Sequence, residues 1–89
     1  MVTLFVRHTV ADYKAWRKGF DEFQPTGAGY GVKSAAVYQT ADNPNDVTVT
    51  HDFDSVESAR TFTQAKELAS AMQKAGVIGA PTIWITNKV

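Results

Sequence analysis

Apolar residues in this chain recur first with a period of two and then with a period near 3.6, and the same switch happens a second time. Few folds accommodate that order. Val2–His8 is β-branched and loosely alternating, and reads as a first strand. Thr9 is placed to cap the following helix, with Asp12 three positions on as a variant of the capping box. Tyr13, Trp16, Phe20 and Phe23 then fall at i, i+3, i+7 and i+10, one apolar stripe, while Lys14, Arg17, Lys18, Asp21 and Glu22 take the wet side. Pro25, Gly27, Gly29 and Gly31 are expected to end this helix and form a flexible connection. Val32–Thr40 reads as a second strand, Ala41–Asp46 as a hairpin turn dense in turn formers, and Val47–Phe53 as a third strand. Asp54 or Ser55 caps a second helix. Its weaker stripe is Val56, Ala59, Phe62, Leu68, Ala69 and Met72, and the shift between Phe62 and Leu68 marks a break near Gln64. Gly76 suits the helix end, and Gly79-Ala80-Pro81 leads into a fourth strand, Thr82–Thr86.

Two strand–helix–strand units in tandem give an α+β domain of the ferredoxin-like βαββαβ kind. Right-handed crossovers set strands one and three, antiparallel, in the centre of a four-stranded antiparallel sheet with two helices on one face. Eighty-nine residues make one such domain, residues 1–89. Val2, Leu4, Val6, Val47, Val49 and Phe53 are assigned to the helix-covered face. Phe5, Val37 and either Trp84 or Ile83 and Ile85 then lie on the other face, too apolar to stay wet, and a second copy of the sheet is the expected cover. A homodimer through the sheet face follows as an expectation.

Nine basic and nine acidic residues cancel, with no long run of either sign. The cationic excess that nucleic acid or an anionic membrane requires is missing. Without cysteine there is no disulfide, thiolate metal site or cysteine nucleophile, which fits a reducing cytoplasm. Val2–Val6 is too short for a signal-peptide core, and no stretch approaches the ~20 apolar residues of a membrane span.

Pairing strands two and three through the Asp42–Asp46 turn sets Tyr38 beside Val49 and His51 beside Ala36. Pairing strands one and three sets His51 near Leu4 and His8 near Val47. By parity His8, Tyr38 and His51 share the helix-covered face, with Tyr13 and Trp16 above them. The candidate catalytic residues are therefore His51, an imidazole that takes or delivers a proton near neutrality, and Tyr38, a hydrogen-bond partner for a carbonyl or phenolate. Trp16, Tyr13, His8 and Tyr30 are the candidate substrate-binding residues, Tyr30 as the tip of a glycine-rich flap at Gly27–Gly31. Each has a plainer explanation. His51 serves equally as a satisfied core histidine, Tyr38 as packing with a wet hydroxyl, His8 as a solvated strand end, the aromatic stripe as core, and the glycine segment as a simple loop. Two histidines with Asp52 on the opposite face do not make a zinc site, which wants three or four protein ligands. The glycine spacing and its helix-to-strand order do not fit a phosphate loop. No serine sits on an elbow within reach of a histidine. Arg7, Lys33 and Asp52 read as charges on the polar sheet face, paired or solvated.

The helix start Val10-x-Asp12-Tyr13-x-x-Trp16, the Asp42-Asn43-Pro44-Asn45 hairpin, the Phe53-Asp54-Ser55 entry and the Ala71-Met72-x-x-Ala75-Gly76-Val77 exit resemble the dimeric α+β barrel superfamily. Within it the chain is similar, over nearly its whole length, to small proteins like the antibiotic-biosynthesis monooxygenases, some of them labelled cyclases. The resemblance implies two sheets facing each other across a dimer and a site between each sheet and its own helices. It implies no cofactor: the monooxygenase-like members act on polycyclic phenols with oxygen alone. The superfamily's haem-degrading members use an Asn on the first strand, a Trp on the second helix and a His, whereas this first strand has no Asn and Phe62 is the only large aromatic of the second helix. The expected function is a cofactor-independent monooxygenase or cyclase/isomerase acting on an aromatic or enolisable molecule. The alternative from another class is a non-catalytic dimer that binds a small ligand or serves in assembly.

Overall fold

The computed structural model covers residues 1–89 and runs β1 (Val2–Val10), α1 (Tyr13–Gly29), β2 (Ser34–Thr40), β3 (Asn43–Phe53), α2 (Val56–Thr63), α3 (Lys66–Lys74) and β4 (Val77–Asn87). The sheet order is β2-β3-β1-β4 with every pairing antiparallel, the ferredoxin-like arrangement expected. No helix is long and apolar enough to cross a membrane.

The central pairing has the expected register: Leu4 lies opposite His51, Val6 opposite Val49 and His8 opposite Val47. Alternation along β1 sends Val2, Leu4, Val6, His8 and Val10 to the helices. The core forms two clusters on that face. One joins Val2, Leu4, Val6, Phe53, Ala59, Phe62 and Leu68; the other joins Val10, Trp16, Val47 and Val49.

Several boundaries differ from the sequence expectation. β1 continues through Thr9 to Val10, so Thr9 is a strand residue and Asp12 is the N-cap of α1, its carboxylate accepting from the Ala15 amide at 3.0 Å. The hairpin adds a second cap: Asn45 Oδ1 accepts from the Tyr13 amide at 3.1 Å.

The glycine-rich stretch is not a flap. α1 runs through Pro25, Gly27 and Gly29, and the chain then stops in a Schellman motif. The Val32 amide donates to the Gly27 carbonyl and the Gly31 amide to the Ala28 carbonyl, both at 3.1 Å. Gly31, at φ +99°, supplies the left-handed residue this closure needs. Pro25 is tolerated because it is exposed, and the carbonyl it leaves unbonded belongs to exposed Asp21, which water can satisfy. Gly27 is buried beside Val32 and Phe62, at distances an added Cβ would meet as ordinary van der Waals contact.

The second helix divides at the expected break. Gln64 caps α2, whose start is held by the Ser55 hydroxyl accepting from the Ser58 amide at 3.1 Å, and α3 begins at Lys66. The division gives three helices where two were expected. It turns Ala69 to the surface while Leu68 stays in the core.

Gly79-Ala80-Pro81 lies inside β4 rather than before it. Ile78 pairs with Thr9 and Thr82 with Arg7, so four steps on β4 match two on β1. The surplus residues bulge out opposite His8, with Gly79 at φ +72°. An edge strand can carry this proline because one of its sides pairs with nothing.

β2 is where parity slips. Its partners are Val37–Val49, Tyr38–Thr48 and Ala35–His51, one residue away from the expected register. A bulge between Gln39 and Thr40 tightens the hairpin to Thr40–Asn43 and shifts everything beyond it. A one-residue slip exchanges the two faces. Val37 therefore packs on the helix side against the Trp16 cluster, and Tyr38 goes to the open face.

That open face carries Phe5 stacked on Trp84, ring centroids 5.1 Å apart and nearly parallel. Ile83 and Ile85 pair with Val6 and Leu4 and so belong to the helix side. Polar groups ring the stack. Arg7 grips Asp46 in a two-pronged ion pair at 2.7 and 3.1 Å, which holds that carboxyl down to about 2. Asp52 accepts from Thr3 at 2.7 Å and Ser34 at 2.5 Å, and Lys33 pairs with Asp54 at 3.3 Å.

Candidate functional site

Between α1, α3 and the sheet lies a cavity of about 50 Å³ whose wall is mostly apolar. Val6 and Val49 form its floor, Trp16, Phe20 and Phe23 its roof, and Leu68, Ala71, Met72 and Ala75 the α3 side. The two polar side chains on its wall are His8 and His51. They stand on neighbouring central strands, two residues to either side of the Val6–Val49 pair.

Both imidazoles are buried, His8 to 6% and His51 to 7% exposure, and the Nδ1 atom of each has no hydrogen-bond partner. Their neighbours are rings. His8 meets Trp16 edge-on with centroids 5.5 Å apart, and His51 meets Phe62 edge-on at 5.1 Å and Phe20 at 6.2 Å. Removal from water penalises the imidazolium, so burial drives His51 down to about 4 against a small opposing pull from Asp52 on the other face. Burial lowers His8 as well, only partly offset by its own backbone and by Asp46. Both rings are neutral at pH 7.

A buried neutral imidazole with a free nitrogen is costly to leave unpaired, about 1–3 kcal/mol for such a group. It is also a proton acceptor held out of water in an apolar wall. This arrangement suits proton transfer to or from a small apolar molecule.

The six sequence candidates divide evenly. His51, His8 and Trp16 come together on the cavity. His8 is buried, contrary to its plainer explanation as a solvated strand end, because β1 continues two residues past it and Trp16 lies over it. Tyr38 is 57% exposed on the opposite sheet face and cannot partner His51. Tyr13 sits at the start of α1, tilted against Trp16 at 5.9 Å and outside the cavity wall. Tyr30 caps the end of α1 instead of tipping a flap; its hydroxyl donates to Glu67 Oε2 at 2.7 Å and ties α1 to α3. Phe20 and Met72 were read from sequence as members of the two apolar stripes and line the cavity as such, whereas the Gly19–Ala75 contact, which depends on how α3 packs, was not singled out.

No protein-family model matches the sequence, and no curated protein sequence matches it either. Solved structures do match. A Bordetella bronchiseptica protein named for antibiotic biosynthesis monooxygenase superposes with a TM-score of 0.85 at 15% identity, over 99% of this chain and 96% of that one. A Nitrosomonas europaea protein of the same name gives 0.77 at 12% identity, over 100% and 99%. SnoaB from Streptomyces nogalater, described as a cofactor-independent oxygenase, gives 0.80 at 13% identity, over 99% and 92%. Full-length superposition of this quality on several such proteins makes the fold of this chain that of the antibiotic biosynthesis monooxygenases.

Proposed function

We propose that this chain is a cofactor-independent enzyme that removes a proton from a small aromatic or enolisable molecule held in the α1–α3 cavity. His51 is the acid/base, Trp16 is a wall of the site, and His8 is a second polar contact. One observation carries the reading: a neutral imidazole, its Nδ1 buried and unpartnered, lines an apolar cavity. The His51 nitrogen takes a proton from a phenol, or from a carbon beside a carbonyl, leaving an electron-rich anion beside an imidazolium. The ion pair formed in the apolar site raises the imidazolium pKa and offsets its burial. Such an anion either reacts with dioxygen unaided, as a monooxygenase needs, or cyclises or is reprotonated elsewhere, as a cyclase or isomerase needs. The description of SnoaB as a cofactor-independent oxygenase supports the first branch.

Turnover is screened on a panel of planar phenols and enolisable lactones. His51→Gln is expected to lower kcat by about 10²–10⁴, the range for a general acid/base. The acid limb of kcat/KM is expected near pH 4 rather than 6.5, since that parameter reports the free enzyme. Unchanged turnover in a folded His51→Gln protein excludes the assignment. The second reading is a dimer without chemistry that binds a small ligand or serves in assembly; the volume of about 50 Å³, well below the roughly 300–1,000 Å³ of drug-sized ligand sites, supports its assembly form. Saturable binding across the panel with no product would select its ligand-binding form.

The same proposal includes a homodimer in the cytoplasm. The Phe5–Trp84 stack, with Tyr38 beyond it, is an aromatic patch on a sheet face that no helix covers. A second sheet laid across it buries the rings and, because Arg7 shares a cross-strand row with Tyr38, also covers the Arg7–Asp46 pair. Light scattering at micromolar concentration is expected to give twice the chain mass. Phe5→Asp is expected to give a folded monomer, since it places a charge in the seam. A wild-type monomer contradicts the dimer.

A further inference from the structure

α1 and α3 meet across small residues. Gly19 on α1 lies so close to α3 that an added Cβ would stand 3.1 Å from Ala75 Cβ. A glycine inside a helix costs roughly 1 kcal/mol relative to alanine, so this position is not chosen for helix stability. Outside the seam is a groove of about 350 Å³, lined by Lys18, Glu22, Thr26 and Lys74 among others. Groove and cavity share Gly19, Phe23, Ala71 and Ala75, so these residues form the partition between them. The seam alone would be only a packing feature. Behind it, however, are two histidines more than nine-tenths buried, each with an unpartnered Nδ1.

The groove also has a charge preference. Lys18 and Lys74 are exposed and belong to no ion pair, and Glu22 is the one carboxylate facing them. Glu67, farther along α3, is already engaged by Tyr30.

We propose that the Gly19–Ala75 seam is the entrance to the cavity, and that the ligand is an amphipathic acid whose apolar ring passes between α1 and α3 while its carboxylate stays in the groove beside Lys18 and Lys74. This rests on the cavity being a substrate site, and it adds the route and the ligand's charge. The Tyr30–Glu67 bond holds the far end of the same helix pair closed, so opening concentrates at Gly19. The ring needs both spaces, because the resting cavity is smaller than a naphthyl group.

Naphthalene-1-acetate and its neutral isostere naphthalene-1-acetamide separate the elements of the proposal. At low salt the acetate is expected to bind about tenfold more tightly than the amide, the advantage shrinking as salt screens the lysines. Lys18→Glu with Lys74→Glu removes that preference and leaves amide binding unchanged. Gly19→Ala weakens both probes at least tenfold in a protein no less stable than the parent. Adding Ala75→Gly to Gly19→Ala restores binding, and equal denaturant midpoints for parent, single and double variants exclude a folding defect as the cause. Equal affinity for the two probes overturns the ligand's charge, and full binding by Gly19→Ala overturns the entrance. Failure of either probe to shift the Gly19 amide and the His51 imidazole in NMR spectra overturns the whole proposal. The acid/base reading falls on a different result, undiminished turnover by His51→Gln, so the two are judged separately.

Discussion

Phe62→Ala is expected to cost about 3–5 kcal/mol, the range for truncating a fully buried phenylalanine. Phe62 has no exposed surface, and its ring contacts Phe23, Tyr30, His51 and Phe53 with centroids 5.1–6.1 Å apart. No other side chain joins so many rings. It connects α2 to the end of α1, to β3 and to the histidine on the cavity wall. A domain of this size is stable by about 5–15 kcal/mol in total, so the loss is a large share. Urea unfolding followed by far-UV circular dichroism reads it as a fall in midpoint with little change in slope. A loss under 1 kcal/mol would mean that the ring cluster is not packed as described. Phe62→Leu, which keeps most of the volume, is expected to lose far less.

The second large effect is a loss of stability in mild acid caused by His51. Its folded pKa, about 4, lies below the ordinary 6.5. The stabilising contribution of the neutral ring is therefore complete above pH 6.5. It declines as pH falls from 6.5 towards 4, because the unfolded chain takes up a proton that the folded chain refuses. At about 1.4 kcal/mol per unit the total is on the order of 3 kcal/mol, and His8 adds in the same direction. The carboxylates of Asp46, Asp52 and Glu67, held below their usual values by hydrogen bonds, act in the same sense at lower pH. His51→Leu is expected to flatten the decline between pH 6.5 and 4. At pH 7 it is expected to be as stable as the parent or more so, because an unpaired buried nitrogen is exchanged for hydrocarbon. Under the proposed acid/base role, the same substitution is also expected to abolish turnover, which would make His51 a group that trades stability for function. Denaturant midpoints from pH 4 to 8 check the stability claim, and an equal slope in both proteins would refute it.

These effects depend on parts of the structure that the sequence reveals to different degrees. The central β1–β3 register was legible because parity along two long apolar strands leaves one pairing that buries Leu4, Val6, Val49 and Phe53 together. It placed His51 on the helix side correctly. The break at Gln64 was legible because the apolar period itself shifts there. Tyr38 was misplaced because the Gln39–Thr40 bulge, which no residue pattern announces, decides the face of every β2 side chain. Tyr30 was misplaced because glycine and proline were read as helix breakers, whereas here α1 runs through Pro25, Gly27 and Gly29 and closes only at Gly31 in a Schellman motif. The Gly19–Ala75 seam was invisible for a different reason. Contacts between α1 and α3 depend on how both helices sit on the sheet, and local propensity carries no trace of that.

Nitrogen-15 NMR of labelled imidazoles, titrated from pH 8 to pH 4, asks whether His51 is a neutral imidazole buried in an apolar wall with its Nδ1 unpartnered. The His51 ring nitrogens are expected to keep their neutral shifts through pH 6.5 and to move only as the pH approaches 4. A ring that titrates near 6.5 is solvated or paired, which is incompatible with the buried site and with the role proposed for His51.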